Sequence, residues 1–567
     1  MNFNKNLKQF QQYLKDKKID FYLVFSNDEF LKECSDLNQN ARYLLSGFSG
    51  SAGDMLISQD SAYLFVDGRY HIQVDEQTDS AFITPIKLKM GEKRNEKIFS
   101  IIKTSKISAP KIALNSHKIS VLNFESLKQD LKTLNATFEL QNEDWICKNF
   151  ATNEGKKVYK VWPVGIKQVG KSVAQKLKRL KKYENDFLLV FSNDEVCYLA
   201  NIRADQNLYS SSLSAFALVG NNKVQIFTDT TSFKKNEFEF DKNIEFKNFV
   251  DFENELKNIK TKIFYEKSKT PLYYSILLNK AKICFQEIKQ SPIAKMKSIK
   301  NKTELAYIQQ CYQKSDEGVL KAIKYLNSKI TNNEKITAKE FLDKLIEFQN
   351  EQGVIALSFA PILAINERSA IIHCTQFDEN QTLKNGDIIL LDFGVYFEGG
   401  YATDMTRTFA LGNNYKNEKF KTVYTTVLKA FLNTLNYSIN PQTTYFDLDK
   451  KARNIIKKAK LNGFNFNHGT GHGIGLNVHE MPPVLSPSKL SNKKLQANMV
   501  FSIEPGLYKE DFGGVRLENS VCTIKTPSGI KIKTLTNLPF DEKLIILEML
   551  NTKEKKWLQE YQNKALK

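Results

Sequence analysis

The segment from His468 to Glu480, HGTGHGIGLNVHE, concentrates histidine within a glycine-rich run. The whole chain has only six histidines, and four of them, His373, His468, His472 and His479, fall within little more than a hundred positions. Histidine is a common ligand of divalent metals and the side chain that titrates near neutral pH. This crowding indicates a metal site or a proton-transfer site, although a tight structural loop is the alternative at this point.

Two other functional motifs are excluded by the neighbouring residues. The glycines at 469, 471, 473 and 475 do not form the GxGxxG pattern of a dinucleotide-binding loop in any register. The pair His479-Glu480 does not open an HExxH zinc helix, because Pro482 and Pro483 follow and the second histidine is missing.

An acidic hairpin precedes the histidine segment. Residues 386–408 predict two strands joined by a turn at 398–401, where Gly399 and Gly400 favour a hairpin. Asp392 follows four apolar residues, IILL, which are typical of a buried strand. A buried carboxylate needs a cation or a metal as partner. The fold back at the two glycines should bring Asp404 close to Asp392.

A second acidic hairpin follows the histidine segment. Residues 499–506 predict a strand that ends at Glu504 and a turn, and residues 514–521 predict another strand. Arg516, Glu518 and Ser520 share one face of it by the two-residue period. Four carboxylates with one imidazole suit a pair of Mn²⁺, Co²⁺, Fe²⁺ or Zn²⁺ ions bridged by carboxylate and water, rather than a thiolate site.

The first three hundred residues contain an internal repeat. FYLVFSNDEF at 21–30 recurs as FLLVFSNDEV at 187–196. In each copy a lysine-rich helical pattern precedes a short apolar strand, which ends at a Ser-Asn-Asp turn. Duplication of an α/β domain explains the repeat, since its period is far too long for a solenoid. After the second copy, Asn301 with Glu304 predicts a capped helix start.

Composition describes a globular chain of 567 residues with 41% hydrophobic residues and a net charge of +19. Only nine of its 82 basic residues are arginines, and the lysines are dispersed, so we expect no nucleic-acid partner. Seven scattered cysteines without a CxxC motif predict free thiols in a reducing cytoplasm. No stretch is apolar enough to span a membrane, and the first 18 residues predict an amphipathic helix rather than a signal peptide.

Taken together, these residues resemble aminopeptidase P, the Xaa-Pro aminopeptidase family of metallopeptidases with the pita-bread fold, in its three-domain form. HGTGHGIGLNVHE is similar to the proline-peptidase signature at every position. The likeness extends to further segments, namely YLLSGFSGSAG, VDGRY, IIHC, the two acidic hairpins, the EPG turn and the tail residues LPF and WL.

The resemblance implies a mixed α/β (α+β) chain of three domains. Two related creatinase-like N-terminal α/β domains, residues 1–160 and 161–298, would precede a pita-bread metallopeptidase catalytic domain with a C-terminal tail, residues 299–567.

The resemblance also implies which residues form the site. Two divalent ions are expected, with Mn²⁺ preferred and Co²⁺ or Zn²⁺ as alternatives, and Asp404 and Glu518 would bridge them. Three histidines would hold the scissile carbonyl and the proline side of the substrate, and Arg516 would support the site. The expected metal ligands are Asp392, Asp404, His472, Glu504 and Glu518, and the expected catalytic residues are His373, His468, His479 and Glu504.

One departure from the family concerns the first hairpin. Asp392 and Asp404 are twelve positions apart, where the family usually has eleven. We expect a bulged or longer turn at 398–401 that keeps both ligands. A register shift by one residue would instead turn Asp404 to the wrong face of the strand.

The expected activity is removal of the N-terminal residue from peptides with proline in the second position. Two ions would lower the pKa of a shared water from ~15.7 towards ~7, so that a metal-bridging hydroxide attacks the carbonyl before proline. Glu504 would take the proton and pass it to the leaving nitrogen, while His373 and His479 would stabilise the oxyanion. The expected partners are Xaa-Pro peptides and a second copy of the chain in a cytoplasmic homodimer, with neither nucleic acid nor membrane.

Several alternatives share the fold. Prolidase, which cleaves only Xaa-Pro dipeptides, and methionine aminopeptidase have the same ligand set, and the duplicated N-terminal domain and the tail favour aminopeptidase P over both. Creatinase lacks the metal ligands. A non-catalytic binding module of this fold would have lost ligands, whereas all five are present here.

Overall fold

The structure is a computed structural model that describes residues 2–33, 36–152, 158–234 and 238–565. The chain divides into two compact units. Unit 1 comprises Met1–Trp162, Val173–Ile202 and Leu213–Pro292, and unit 2 comprises Pro163–Ser172, Arg203–Ser212 and Ile293–Lys567. None of the helices within the described ranges combines the length and the apolar character needed to cross a bilayer.

The N-terminal part of unit 1 contains a six-stranded mixed sheet and six α-helices. Its strands are β1 (Phe21–Val24), β2 (Asp54–Ser58), β3 (Ala62–Val66), β4 (Thr84–Lys87), β5 (Lys111–Asn115) and β6 (Thr137–Gln141). Its helices are α1 (Phe3–Asp16), α2 (Ala41–Ser46), α3 (His71–Gln77), α4 (Arg94–Thr104), α5 (Val121–Asp130) and α6 (Trp145–Phe150). The predicted amphipathic helix at the N-terminus is confirmed, since Leu7, Phe10 and Leu14 of α1 are buried.

The following part of the chain repeats this plan. Its strands are β7 (Tyr159–Pro163), β8 (Phe187–Val190), β9 (Ile202–Ala204), β10 (Phe216–Gly220), β11 (Lys223–Thr228), β12 (Phe233–Lys234), β13 (Ile244–Asn248), β14 (Ile263–Tyr265) and β15 (Phe285–Glu287). Its helices are α7 (Ile166–Val169), α8 (Val173–Lys178), α9 (Asn193–Ala200), α10 (Phe252–Asn258) and α11 (Leu272–Lys280).

The two six-stranded sheets have the same topology. Their strand orders are β4-β3-β2-β1-β5-β6 and β13-β11-β10-β8-β14-β15. In both, the repeated strand pairs antiparallel on one side and parallel on the other. The duplication predicted from the repeated decapeptide is therefore confirmed. The predicted boundaries at 160 and 298 stay predictions, and residues 153–157, just before the first of them, lie outside the described residues.

The turn predicted after each repeated strand forms only in the first copy. There the Asp28 carboxylate accepts hydrogen bonds from the backbone N–H groups of Phe30 and Lys32, as in an Asx turn. In the second copy α9 begins at Asn193, so the prediction of a turn is wrong. Asp194 and Glu195 occupy the first turn of α9, where the helix dipole stabilises acidic side chains.

Unit 2 contains an eight-stranded sheet flanked by long helices. Its helices after residue 291 are α12 (Pro292–Ser298), α13 (Lys302–Thr331), α14 (Ala338–Glu351), α15 (Glu418–Leu435), α16 (Tyr445–Lys458) and α17 (Thr552–Ala565). Its strands are β16 (Ala356–Leu357), β17 (Ile362–Ile365), β18 (Ile388–Phe393), β19 (Val395–Tyr396), β20 (Met405–Ala410), β21 (Gly471–Gly473), β22 (Glu480–Leu485), β23 (Val500–Ile503), β24 (Gly506–Lys509), β25 (Gly513–Arg516), β26 (Glu518–Thr526) and β27 (Gly529–Thr534). The sheet order is β17-β18-β20-β26-β23-β21-β22, and β27 pairs with β26.

The predicted capping box starts the longest helix. The Asn301 side chain accepts a hydrogen bond from the Glu304 N–H at 3.0 Å, and the Glu304 carboxylate accepts one from the Asn301 N–H at 2.7 Å. Both bonds satisfy N–H groups that have no partner within the helix. The predicted helix start is therefore confirmed.

Two apolar clusters fix which face of the sheet carries the candidate site. Ile389, Leu391 and Phe393 of β18 pack in the cluster that contains α13 and α14. Because side chains alternate along a strand, Asp392 lies on the opposite face of β18. A second cluster packs α15 and α16 against β23 and β26.

Candidate metal centre

The first acidic hairpin keeps both aspartates on one face. β18 and β20 pair antiparallel, with Asp392 opposite Thr406 and Phe393 opposite Met405, and the same register continues to Tyr396 opposite Ala402. It places Asp404 opposite residue 394, two positions from Asp392 and therefore on its face. The pairing ends at Tyr396 and Ala402 and leaves residues 397–401 as the loop. The alternative of a register shift that turns Asp404 to the wrong face is therefore wrong, and a turn longer than that of the family stays a prediction.

The second acidic hairpin lies next to the first. β20 pairs with β26 so that Thr406 stands opposite Glu518. The Thr406 hydroxyl donates a hydrogen bond of 2.7 Å to Oε2 of Glu518, and the Ser520 hydroxyl donates one of 2.9 Å to the Asp404 carbonyl. These cross-strand contacts bring Asp404 and Glu518 together, although they are 114 positions apart in the sequence.

The histidine segment adds the imidazole. His472 lies in β21, and its backbone N–H donates to the Ser502 hydroxyl at 3.0 Å. Its Nε2 lies 3.5 Å from Oδ2 of Asp404 and 3.4 Å from Oε1 of Glu504. One ligand atom from each of Asp404, His472 and Glu518 lies within 4.8 Å of the others, which is compact enough to hold a metal ion.

Arg516 connects the fifth predicted ligand to the rest. Its Nη2 donates to Oδ2 of Asp392 at 2.6 Å, and its Nε donates to the Thr406 hydroxyl at 3.0 Å. Its Nη1 donates to the Tyr508 hydroxyl at 3.0 Å. Arg516 is fully buried, so these charge-assisted bonds hold the Asp392 carboxylate in one orientation.

The remaining predicted histidines occupy different positions. His468 Nδ1 lies 3.6 Å from Oε2 of Glu504, and its Nε2 lies 2.8 Å from the Tyr508 hydroxyl. The His479 ring packs edge-on against the His472 ring, with 4.4 Å between centroids. His373 is half-buried in a loop, and the carbonyl before it, that of Ile372, accepts a hydrogen bond from Arg516.

The exclusion of a zinc helix at His479-Glu480 is confirmed. Glu480 begins strand β22 rather than a helix, and its carboxylate accepts hydrogen bonds or ion pairs from three groups. These are Lys297 Nζ at 2.9 Å, Lys300 Nζ at 3.0 Å and the Leu476 N–H at 3.0 Å. The Glu480 carboxylate therefore stabilises the histidine segment through these contacts and is not a metal ligand.

Burial and mutual repulsion give the four carboxylates unusual proton affinities. Burial raises the pKa of Glu504 to about 7. It raises the pKa of Asp404 and Glu518 well above their ordinary values, with further increases from neighbouring carboxylates. Burial also raises the pKa of Asp392, while the Arg516 guanidinium opposes the shift. Such crowding of like charges is costly unless protons or cations compensate it.

Two carboxylate oxygens without a hydrogen-bond partner indicate that metal cations are suited to balance the negative charge of the site. Oδ1 of Asp392 and Oε1 of Glu518 are buried and have no hydrogen-bond partner. Carboxylate oxygens with one imidazole nitrogen are ligands that Mn²⁺, Co²⁺ and Zn²⁺ accept. The donor set of this site therefore fits divalent metal ions.

Two residues of the site were missed in the sequence. Thr406 bonds Glu518 and Arg516, and the two-residue period from Asp404 could have placed it on the same face. Tyr508 lies between Arg516 and His468, and room for its ring is made by glycines 506 and 514, where a Cβ would approach the tyrosine within 2.3 and 2.5 Å. No local pattern indicates that role.

Fold and site together define a metal-dependent hydrolase. Residues 306–524 match the family model described as metallopeptidase family M24, and residues 6–141 and 154–304 match models described as creatinase/prolidase N-terminal domains. The catalytic part of the chain belongs to metallopeptidase family M24. The predicted fold, two creatinase-like domains followed by a pita-bread catalytic domain, is thereby confirmed.

Three known proteins illustrate the similarity. A protein of Laccaria bicolor named "Probable Xaa-Pro aminopeptidase P" is 28% identical over 587 residues, which cover 99% of this chain and 89% of that protein. The X-prolyl aminopeptidase of Caenorhabditis elegans, described as a cytosolic enzyme with a di-nuclear active site, superposes with a TM-score of 0.89 at 21% identity, over 100% of this chain and 96% of that one. The Xaa-Pro dipeptidase of Bacillus anthracis superposes with a TM-score of 0.53 at 26% identity, over 66% of this chain and 100% of that one.

Proposed function

We propose that this chain is a metal-dependent aminopeptidase that removes the N-terminal residue from peptides with proline in the second position. The observation that supports this proposal most directly is the compact group of Asp404, His472 and Glu518 within the M24 catalytic domain. Similarity to a protein named as an Xaa-Pro aminopeptidase extends over 99% of the chain and supports the substrate class.

Proline explains why the activity needs a dedicated site. A proline peptide bond lacks the N–H group, and the ring fixes φ near −65°. A peptidase that aligns its substrate through that N–H cannot hold such a bond. A site for Xaa-Pro peptides must instead position the carbonyl before proline and accept the ring.

We propose Asp392, Asp404, His472, Glu504 and Glu518 as the ligands of two divalent ions, with Mn²⁺ as the native metal. Bound there, such ions supply Lewis acidity and lower the pKa of water. The raised pKa values of the carboxylates and the two unpartnered oxygens support this assignment.

Each side chain of the site would then have its own role in hydrolysis. Glu504, whose Oε1 lies 3.4 Å from Nε2 of His472, would take a proton from the attacking water and return it to the leaving nitrogen. His479 and His373 would donate hydrogen bonds to the developing oxyanion. His468, oriented by Tyr508, would contact the proline side of the substrate. Arg516 would keep Asp392 directed at the metal.

Prolidase activity is the competing proposal within the same fold. The dipeptidase of Bacillus anthracis matches only 66% of this chain, whereas the aminopeptidase relative matches almost all of it. The additional N-terminal domain therefore favours the aminopeptidase. We also propose a cytoplasmic homodimer, and the free thiols of Cys147, Cys284, Cys311 and Cys522 are consistent with a reducing compartment.

The test is hydrolysis of Arg-Pro-Pro and of the dipeptide Gly-Pro by metal-stripped protein after addition of Mn²⁺, Co²⁺ or Zn²⁺. We expect metal-dependent release of arginine from the tripeptide, fastest with Mn²⁺. Cleavage of Gly-Pro alone would replace the proposal with prolidase. Absence of turnover with every metal, together with absence of metal binding, would favour a binding module.

A further inference from the structure

A distant segment of unit 2 contacts the loop that joins two predicted ligands. The loop 397–401 lies between Asp392, in β18, and Asp404, which immediately precedes β20. Residues Arg203–Ser212 belong to the same compact unit as this loop. Arg203 and Ser211 are 1% and 2% exposed, so their polar groups lie in the protein interior and need hydrogen-bond partners there.

Both side chains bind the loop through its backbone. Arg203 Nε donates a hydrogen bond of 2.9 Å to the carbonyl of Gly399. The Ser211 hydroxyl donates one of 2.8 Å to the carbonyl of Gly400. The segment is itself closed by a hydrogen bond of 3.0 Å from the Ala204 N–H to the Ser211 carbonyl, so the two donors are held together.

Helix α13 holds the same loop from another direction. The Gly399 N–H donates to the Tyr307 hydroxyl at 2.9 Å. The Tyr401 hydroxyl donates to Oε1 of Glu304, the residue that also caps α13, at 3.0 Å. Four hydrogen bonds thus restrain three consecutive loop residues.

The backbone conformation of the loop and its two glycines permit these contacts. Gly400 has φ of +69°, in the left-handed region that favours glycine. A Cβ at Gly400 would lie 2.3 Å from the Cδ and Nε of Arg203, and a Cβ at Gly399 would lie 2.3 Å from the Tyr307 ring. The two glycines therefore allow the arginine and the tyrosine to reach the backbone.

We propose that Arg203 and Ser211 are positioning residues for the metal centre. They hold the loop so that Asp392 and Asp404 stay on one face of the hairpin. A one-residue slip of β18 against β20 would turn Asp404 away from His472 and Glu518. Such a slip would also break the bonds to Gly399 and Gly400 at once. The inference rests on the proposed ligation of metal by these aspartates.

The chain provides a matched pair of variants for the test. Ser211 and Ser212 are adjacent and both buried, but the Ser212 hydroxyl has no hydrogen-bond partner. We would compare Ser211→Ala with Ser212→Ala, and add Arg203→Met, which keeps the aliphatic length of the side chain but removes the donors. Mn²⁺ binding is measured by calorimetry without peptide, and turnover of Arg-Pro-Pro is measured across a range of Mn²⁺ concentrations.

We expect Ser211→Ala and Arg203→Met to weaken Mn²⁺ binding by roughly tenfold or more, with turnover recovering as Mn²⁺ is raised. Ser212→Ala should bind Mn²⁺ as the unmodified protein does. Unchanged urea midpoints of the metal-free variants distinguish misplaced ligands from general loss of structure, since metal that binds only the folded state would also restore a destabilised protein. If Arg203→Met does not fold, the serine pair decides the question.

Failure of the positioning role and failure of the proposed peptidase activity would give different results. Equal Mn²⁺ affinity in Ser211→Ala, Ser212→Ala and the unmodified protein would overturn the positioning role and leave the proposed peptidase intact. Weakened Mn²⁺ binding in Ser211→Ala, in a protein that cleaves no Xaa-Pro peptide, would support the positioning role and refute the proposed activity.

Discussion

Nη2 of Arg516 donates a hydrogen bond of 2.6 Å to Oδ2 of Asp392. The same guanidinium directs its Nε and Nη1 to Thr406 and Tyr508, so three donors of fixed geometry orient three groups of the site. A lysine has a single ammonium group and cannot reproduce this planar arrangement.

Arg516→Lys should therefore lower activity while the protein stays folded. A hydrogen bond to a charged group contributes about 1.5–3 kcal/mol. Its loss corresponds to a fall in kcat/KM of roughly 10- to 150-fold. The measurement is kcat/KM for Arg-Pro-Pro at saturating Mn²⁺. Arg179→Lys, at an exposed arginine of unit 1, serves as the control. Wild-type activity in Arg516→Lys would remove the orienting role.

Glu504→Gln should remove most of the turnover even when metal saturates the site. The carboxylate lies 3.4 Å from His472 Nε2, and glutamine keeps its size but cannot accept a proton. Loss of a general base costs about 10²- to 10⁴-fold in rate. The measurement is kcat at increasing Mn²⁺, with Glu510→Gln at an exposed position as the control. Full turnover in Glu504→Gln would disprove the assignment.

Glu480→Gln should destabilise unit 2, because two buried lysines would lose their counter-charge. Lys297, Lys300 and Glu480 are each at most 3% exposed. Breaking a buried ion pair by removing one partner costs about 3–5 kcal/mol. The measurement is the urea midpoint of the unmodified and variant proteins. Asp343→Asn, in an exposed pair with Lys339, should leave the midpoint unchanged, and an equally small effect of Glu480→Gln would contradict the prediction.

Asp316→Asn should change how stability depends on pH. Burial raises the pKa of Asp316 to about 7 from an ordinary value of 3.8, so between these values the folded state binds more protons than the unfolded state. Stability from this group is therefore present at low pH and lost as pH rises through about 7, with a slope of about 1.4 kcal/mol per pH unit. Asparagine keeps an acceptor for the Asn537 N–H, which bonds Oδ2 at 2.7 Å.

The test of that prediction is the difference in urea midpoint between Asp316→Asn and the unmodified protein at pH 5 and at pH 8. We expect the variant to gain stability relative to the unmodified protein at the higher pH. A constant difference across this range would show that Asp316 does not titrate in it.

Local patterns in the sequence predicted the elements that carry the site. The capping box at Asn301, the repeated strand and the hairpin between Asp392 and Asp404 each depend on residues within about a dozen positions. Turn preferences, capping and side-chain alternation act over that distance, so these elements follow from neighbouring residues. The candidate ligands were also named from the sequence, and the structure brings them together.

The contacts between those elements were determined by tertiary packing. The SNDE segment is a turn in one copy and the start of a helix in the other, although its four residues are identical. The Glu480 carboxylate meets Lys300, which lies 180 positions away, and Arg203 reaches Gly399, which lies 196 positions away. Nothing in the residues near Glu480 or Gly399 specifies such partners. Contacts of this kind form only when distant segments pack, since burial leaves each polar group to be satisfied by whatever donor the fold places beside it.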